Sequence, residues 1–152
     1  MNSIVVVSGY FNPIHTGHID YLKGARKLGG ILIVVVNNDA QVRLKGSVPF
    51  MPQRDRLVIV NALGCVSEAV PSIDTDGSVV RTLRSIRDKF HSRNDYRFQP
   101  PVVPRIIFAN GGDRKVDNIP EYDLCESLGI EMAFNVGGGK TQSSSELLEK
   151  VK

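Results

Sequence analysis

Short runs of apolar residues alternate along the chain with segments in which apolar residues recur every three or four positions. The runs at residues 3–8 and 31–36 are rich in β-branched side chains and lack polar alternation. That pattern is typical of strands covered on both faces of a sheet. With three later segments, the predicted strands are residues 3–8, 31–36, 65–71, 105–109 and 130–136.

Helical periodicity separates these strands. After the first strand, Ile19, Leu22, Ala25 and Leu28 recur at a spacing of three, and a Gly-Gly pair follows as a helix stop. Pro52 suits the first turn of a second helix. The predicted helices are residues 17–28, 52–63, 77–90, 120–128 and 143–151.

The alternation of strand and helix predicts an α/β fold with a parallel, doubly wound sheet. We expect a single Rossmann-like domain over residues 1–152, with five parallel strands and helices on both faces, interrupted by an irregular insertion at about 91–104. Sheets of this kind bind ligands at the carboxyl ends of their strands. The glycine-rich and polar segments of this chain follow its predicted strands, so we expect one site fed by several loops.

Composition narrows the class of protein. With 41% hydrophobic and 23% charged residues, the chain is typical of a soluble globular protein. It has no run near the ~20 apolar residues that span a bilayer and no secretory signal, so we expect no membrane partner. Cys65 and Cys125 are isolated and form neither a metal motif nor a disulfide framework. They predict buried thiols in a cytoplasmic protein.

The net charge of +3 is concentrated between Arg81 and Arg105, a segment that contains seven basic and two acidic residues. Such an excess suits an anionic small molecule or a nucleic acid equally well. A solvated helix face explains it too, since arginines recur every three residues at its start. Interleaved aromatic residues that would stack bases are lacking, so we expect no nucleic-acid partner.

The candidate chemistry follows the first strand, where residues 9–18 read Gly-Tyr-Phe-Asn-Pro-Ile-His-Thr-Gly-His. His15 and His18 are three apart at a helix start, so both can face one way. The free N–H groups of a helix N-terminus make an anion site, and Gly17 leaves room for a phosphate. Either histidine alone would be read as structural. Together they predict a site that stabilises charge on a phosphoryl group in transit.

Residues 11–18 resemble the HxGH signature of the cytidylyltransferase-like nucleotidyltransferase superfamily, and the resemblance covers nearly the whole chain. Residues 36–39, 43–46, 56–63, 66–71 and 110–113 resemble D-glycero-D-manno-heptose 1-phosphate adenylyltransferases. Residues 142–145 lie where the superfamily has a motif rich in Ser and Thr. Glycerol-3-phosphate cytidylyltransferases share this layout and match the middle segment less well.

The resemblance implies transfer of a nucleoside monophosphate from a nucleoside triphosphate to a small phosphorylated acceptor, such as a sugar or polyol phosphate. Mg²⁺ would accompany the triphosphate, held mostly by phosphate oxygens and water, with no metal site built from protein ligands. A homodimer is expected. The catalytic residues implied are His15, His18 and Lys45, and the acceptor-binding residues are Asp39, Arg43 and Arg56. The nucleotide-binding residues implied are Gly9, Tyr10, Phe11, Asn12, Gly17, Asn110, Gly111, Gly112, Asp113, Gln142, Ser143, Ser144 and Ser145.

Two departures from the family pattern leave the substrates open. The Arg-Thr-x-Gly element of cytidylyltransferases is absent, and Gly-Gly-Gly-Lys-Thr stands at residues 137–141 instead. Lys140 can replace the missing arginine as a point charge without its bidentate fork. The insertion at 91–104 is the second departure. ATP is favoured over CTP, a cytidylyltransferase acting on a phospho-alcohol is the alternative, and a non-catalytic nucleotide-binding or nucleic-acid-binding protein is a further one.

The segment at residues 43–52 carries Lys45 between a basic residue, Arg43, and a glycine, Gly46. We predict that this segment is a loop that becomes ordered on nucleotide binding. The ordered loop would exclude water and complete the positive charge around the phosphates.

Overall fold

The computed structural model of the protein describes residues 3–91, 104–112 and 118–138, and within them strands and helices alternate as predicted. The strands are β1 (Ser3–Gly9), β2 (Ile31–Val36), β3 (Glu68–Pro71), β4 (Arg105–Ala109) and β5 (Glu131–Ala133). The helices are α1 (Thr16–Arg26), α2 (Asp39–Leu44), α3 (Gln53–Asn61), α4 (Val80–His91) and α5 (Tyr122–Leu128).

The five strands form one parallel sheet in the order β3-β2-β1-β4-β5. β1 is central and pairs with β2 from Ile4–Ile31 to Gly9–Val36, and with β4 on its other side. The chain runs outward from β1 to β3 and then returns to β4 beside β1. The carboxyl ends of β1 and β4 therefore form the topological switch point, where sheets of this class bind ligands.

The core has two layers, one on each face of the sheet. Ile4 and Val6 of β1 pack with side chains of α4 and α5, whereas Val5 and Val7 pack with side chains of α1 and α3. All four are at most 2% exposed. Burial on both faces explains why the strand lacks polar alternation. The doubly wound α/β architecture predicted from the sequence is thereby confirmed.

The short helix α2 was not predicted. Its N-cap is Asn38, whose side chain accepts from the Gln41 N–H while the Gln41 side chain accepts from the Asn38 N–H. This reciprocal pair is a capping box, which starts a helix by satisfying two otherwise unpaired donors. The prediction of a loop over residues 43–52 is corrected accordingly, because residues 43 and 44 belong to α2.

Several predicted boundaries move inward. The third strand begins at Glu68 rather than at residue 65. The Ala62 and Leu63 N–H groups donate back to the end of α3, and the Val66 N–H donates to the Leu63 carbonyl. The fifth strand ends at Ala133, because Asn135 adopts a left-handed φ of 53°. Most of the insertion at 91–104 and the whole helix predicted at 143–151 lie outside the described residues.

The two cysteines differ. Cys125 is buried in α5, and burial beside Glu121 raises the pKa of its thiol to about 12. Cys65 is only half-buried, which corrects the expectation that both thiols are interior. Across the part of the chain that the structure describes, no helix combines the length and apolarity that a membrane crossing requires.

Candidate active site

The loop after β1 is anchored in the core by Phe11. Its side chain is 1% exposed, and its φ of 49° lies in the left-handed region. Gly9 makes room for the ring, because a Cβ at that position would lie 2.7 Å from Phe11 Cζ. The Phe11 side chain thus packs inside the protein, so only its backbone stays a predicted nucleotide contact.

His15 and His18 together build the N-terminus of α1. His15 is the N-cap, and its Nδ1 accepts from the Gly17 N–H at 3.1 Å. His18 Nδ1 accepts from the His15 N–H, also at 3.1 Å. The two rings stack with centroids 3.8 Å apart, and the Phe11 ring packs edge-on against His18 at 4.9 Å. The structure therefore brings the two histidines onto one side of the loop.

This cap determines which nitrogen of each ring carries the proton. A neutral imidazole that accepts at Nδ1 is protonated at Nε2, so each ring presents an Nε2–H donor. Both side chains are only half-buried. The donors lie beside the first turn of α1, whose positive dipole end attracts anions. The Gly17 and His18 N–H groups of this turn already donate to His15. The arrangement can bind phosphate and stabilise charge that develops on it.

Lys45 lies at the same edge of the sheet. It is the C-cap of α2, and its Nζ lies 4.5 Å from the centroid of the Tyr10 ring, within cation–π range. Tyr10 immediately follows β1. We call residues 10–18 the histidine loop. The structure thus brings Lys45 to the start of this loop, although Tyr10 and Lys45 are 35 positions apart in the sequence.

Asn12 connects these two segments. Its Nδ2 donates to the Val48 carbonyl at 2.9 Å, and its Oδ1 accepts from the Phe50 N–H at 2.5 Å. The residue is 3% exposed. The predicted nucleotide contact through the Asn12 side chain is therefore replaced by contacts within the protein.

Arg56 has a different place from the one expected. Its side chain is fully buried and forms a 2.6 Å ion pair with Asp39. Its remaining described hydrogen bonds go to the carbonyls of Tyr10, Asn37 and Met51, at 2.8, 2.7 and 3.0 Å. A fully buried side chain with these partners does not fit the predicted contact between Arg56 and the acceptor substrate. We revise its role to that of a structural cation joining the ends of β1 and β2 to the start of α3.

The two other predicted acceptor contacts are more accessible. The Asp39 side chain is 32% exposed, and its Oδ1 accepts from Arg56 and from the Gln53 N–H at 3.0 Å. Arg43 is exposed in the last turn of α2. Both lie after β2, next to the central strand, so their predicted roles remain open.

The end of β4 completes the described part of the site. Asn110 is 3% exposed, and its Nδ2 donates to the Phe108 and Ala133 carbonyls at 3.3 and 3.2 Å, so it ties β4 to β5. Gly111 is half-buried and Gly112 is exposed. Sequence reasoning missed Tyr21, whose hydroxyl donates to the Ala109 carbonyl at 2.6 Å and so joins α1 to this strand end. Its position three residues after His18 was the available signal.

Gln41 was also missed. It is 1% exposed, and its Nε2 donates to the Asp76 and Ser78 carbonyls, both at 2.8 Å. Asn38 Nδ2 donates to the Asp74 carbonyl at 2.9 Å. Through these amides α2 holds the loop that follows β3. The spacing Asn-x-x-Gln was the signal in the sequence.

Several predicted nucleotide contacts lie outside the described residues: Asp113, Gln142, Ser143, Ser144 and Ser145. Within residues 3–91, 104–112 and 118–138, no group of three or more His, Cys, Asp or Glu side chains is placed to hold a metal ion.

Comparison with known proteins shows the family of the chain. A family model described as cytidylyltransferase-like matches residues 6–126. The chain is 37% identical over 130 residues to the bifunctional protein HldE of Cronobacter sakazakii, covering 84% of this chain and 26% of that protein. It is 35% identical over 141 residues to the HldE of Pectobacterium carotovorum, covering 91% of this chain and 29% of that protein. The chain thus spans between a quarter and a third of the length of these relatives.

Two solved structures share the fold. One is the lipopolysaccharide core biosynthesis protein from Thermoplasma volcanium, with a TM-score of 0.67 and 24% identity over 92% of this chain and 98% of that chain. The other is a bifunctional NMN adenylyltransferase/ADP ribose pyrophosphatase from Francisella tularensis, complexed with AMP and a manganese ion. Its TM-score is 0.58 at 17% identity, over 99% of this chain and 41% of that chain.

Proposed function

The chain belongs to the cytidylyltransferase-like family of nucleotidyltransferases, and we propose that it transfers a nucleoside monophosphate from a nucleoside triphosphate to a sugar phosphate. The observation that carries the proposal is the paired cap of α1. Two imidazoles with inward-facing Nδ1 atoms present Nε2–H donors at a helix N-terminus, and this helix follows the central strand at the switch point.

In the proposed reaction, an oxygen of the acceptor phosphate attacks the α-phosphorus. A new P–O bond forms, the bond between the α-phosphorus and the bridging oxygen breaks, and pyrophosphate leaves. The acceptor oxygen is already anionic, so no nucleophilic side chain is needed. His15 and His18 stabilise the charge that develops on the phosphoryl group, and Lys45 neutralises charge on the phosphates. Displacement in one step predicts inversion of configuration at the α-phosphorus.

Mg²⁺ is proposed as the ion that arrives with the triphosphate and offsets its charge. Asp39 is the described carboxylate beside the loop after β2, and it already accepts from Arg56 and Gln53. A single carboxylate that already accepts two hydrogen bonds fits an ion that is held chiefly by phosphate oxygens and water. Mg²⁺ is commonly bound in this way.

ATP and a sugar 1-phosphate are the proposed substrates. The support is the resemblance of residues 36–46, 56–63, 66–71 and 110–113 to heptose 1-phosphate adenylyltransferases, together with the identity to HldE proteins. Asp39 and Arg43 are the proposed acceptor contacts. The proposed nucleotide contacts are Gly111, Gly112 and residues 113 and 142–145.

A homodimer is also proposed, and light scattering would test it.

A substrate screen tests the proposal. Pyrophosphate release would be measured with ATP or CTP, each with Mg²⁺, against heptose 1-phosphate and glycerol 3-phosphate. We expect release with ATP and the sugar phosphate. A site built to pair with one base rejects the other strongly, so the preference should be sharp. Turnover only with CTP and glycerol 3-phosphate would identify a cytidylyltransferase instead, and no release with any pair would contradict the activity.

His18→Ala tests the histidine pair. We expect turnover to fall by roughly two to four powers of ten, the size expected for losing one transition-state donor. Circular dichroism would check that the variant stays folded. Asn61→Ala is the matched control, because Asn61 lies at the end of α3 and bonds only to the Ala69 N–H among the hydrogen bonds described for its side chain. Near-normal turnover in folded His18→Ala would remove His18 from the mechanism.

A further inference from the structure

The segment that carries Lys45 is held by its backbone more than by its side chains. We call residues 45–51 the lysine loop. Val48 and Phe50 in its middle are 77% and 60% exposed, so their side chains do not anchor it in the core. At its start the Gly46 N–H donates to Arg43 and the Ser47 N–H to Val42. At its end the Met51 carbonyl accepts from Arg56.

Asn12 holds the middle of the lysine loop. Its carboxamide donates to the Val48 carbonyl at 2.9 Å and accepts from the Phe50 N–H at 2.5 Å. One side chain thus pairs the backbone on both sides of Pro49, which has no N–H of its own. Because Asn12 is 3% exposed, water cannot readily replace these bonds, and losing them would leave polar groups unpaired.

The residues on either side of Asn12 make it a rigid support. Phe11 is 1% exposed in the core, and the Tyr10 ring lies 4.5 Å from Lys45 Nζ. The Tyr10 carbonyl accepts from Arg56, which also binds Met51. Residues 10–12 therefore contact the lysine loop at its start and middle, and Arg56 links them to its end. The same tripeptide opens the histidine loop, with Asn12 three residues before His15.

We propose that Asn12 is a positioning residue that fixes the lysine loop against the histidine loop, so that Lys45 and the two imidazoles face the same phosphate chain. Asn12 acts through Val48 and Phe50 and touches no substrate. The loop is then seated before nucleotide binds, rather than ordered only by it. The effect on catalysis rests on the proposed function, whereas the seating of the loop does not.

Hydrogen exchange tests the seating without any substrate. In the nucleotide-free protein, the Phe50 amide should exchange about tenfold or more faster in Asn12→Ala than in the natural protein, because its acceptor is removed. Asn12→Asp keeps an acceptor for Phe50 but places a carboxylate against the Val48 carbonyl, so it should also loosen the loop. If the alanine variant fails to fold, the aspartate variant serves alone. Asn61→Ala should leave the lysine loop unchanged. Equal exchange of residues 45–51 in the natural protein and the folded variant would overturn the proposal.

A double-mutant cycle tests the link to Lys45. If Asn12 acts by placing Lys45, then turnover in Asn12→Ala/Lys45→Ala should match that of Lys45→Ala alone within about threefold. Fully additive losses would overturn the positioning role and indicate an independent contribution of Asn12. If the natural protein turns over no triphosphate, the proposed function fails, and hydrogen exchange alone decides the seating of the loop.

Discussion

Single residues at this site serve the protein and its chemistry at once. His15 and His18 each use Nδ1 to cap α1, which places the proton of each neutral ring on Nε2. Arg56, by contrast, has a structural role and no proposed role in the chemistry. The sequence offers a basic residue near the site, and the fold uses it entirely within the protein.

The ion pair of the buried Arg56 with the partly exposed Asp39 yields a prediction on stability. Arg56→Met removes the donor to three carbonyls and leaves Asp39 without its cation. Because the carbonyls of Tyr10, Asn37 and Met51 would lose their buried donor, we expect a loss of about 3–5 kcal/mol in the free energy of unfolding. Urea titration would measure it.

The matched control is Arg105→Met. Arg105 also forms a described ion pair, with Glu131, but the two side chains are 65% and 48% exposed. Exposed pairs contribute little, so this variant should unfold close to the natural midpoint. Equal losses in Arg56→Met and Arg105→Met would contradict the structural role of Arg56.

At the scale of elements, helix α1 is positioned by close contact with the turn after β5. An added Cβ at Gly24 would lie 2.8 Å from the Gly137 backbone nitrogen. Gly137 has a φ of +83°, and its own Cβ would lie 2.6 Å from Tyr21 Cα. Both glycines therefore allow two backbones to approach, which holds α1 and the end of the sheet together.

The contact between Gly24 and Gly137 reverses the usual effect of replacing a glycine in a helix. Replacing a glycine within a helix by alanine normally stabilises by roughly 0.5–1 kcal/mol. Gly24→Ala should instead destabilise by about 1–3 kcal/mol, because a backbone atom must move to admit the methyl group.

Thermal unfolding of Gly24→Ala would be compared with that of Gly64→Ala. No atom lies within 4 Å of an added Cβ at Gly64, so that variant should stay within about 0.5 kcal/mol of the natural protein. A melting temperature of Gly24→Ala at or above the natural value would show that the contact is not tight.

Over the whole molecule, the strand order determines where the parts of the site meet. The loops after β1 and β2 and the end of β4 lie at the same edge, because these three strands are adjacent and parallel. Binding of a triphosphate across these loops should stabilise the entire fold by mass action.

A thermal shift measures this linkage. At a concentration near 100 times Kd, Mg²⁺ with ATP should stabilise by about 2.7 kcal/mol. For a chain of this size that corresponds to roughly 5–11 °C. Mg²⁺ with adenosine is the control, and it should shift the melting temperature far less, since the phosphates make the proposed contacts. Equal shifts with ATP and adenosine would contradict a phosphate site at the histidine loop.

Features that depend on neighbours in the chain could be predicted from the sequence. The alternation of apolar runs and helical periods determined the five strands and the doubly wound class. The spacing of His15 and His18 determined that they share one side of a helix start. These inferences work because strand pleat and helix period act within a few residues. The capping box of Asn38 and Gln41 is equally local, so the sequence contained the signal for α2 although this helix was not predicted.

Only the tertiary structure decided which distant residues meet. Asn12 contacts Val48 and Phe50 across 36 and 38 positions, and Tyr21 contacts Ala109 across 88. Arg56 looked like a ligand contact until the ends of β1 and β2 were seen to surround it. The physical reason is that burial and hydrogen-bond partners depend on how whole elements pack. A guanidinium or an amide has the same appearance in a sequence whether it faces a substrate or the protein's own carbonyls.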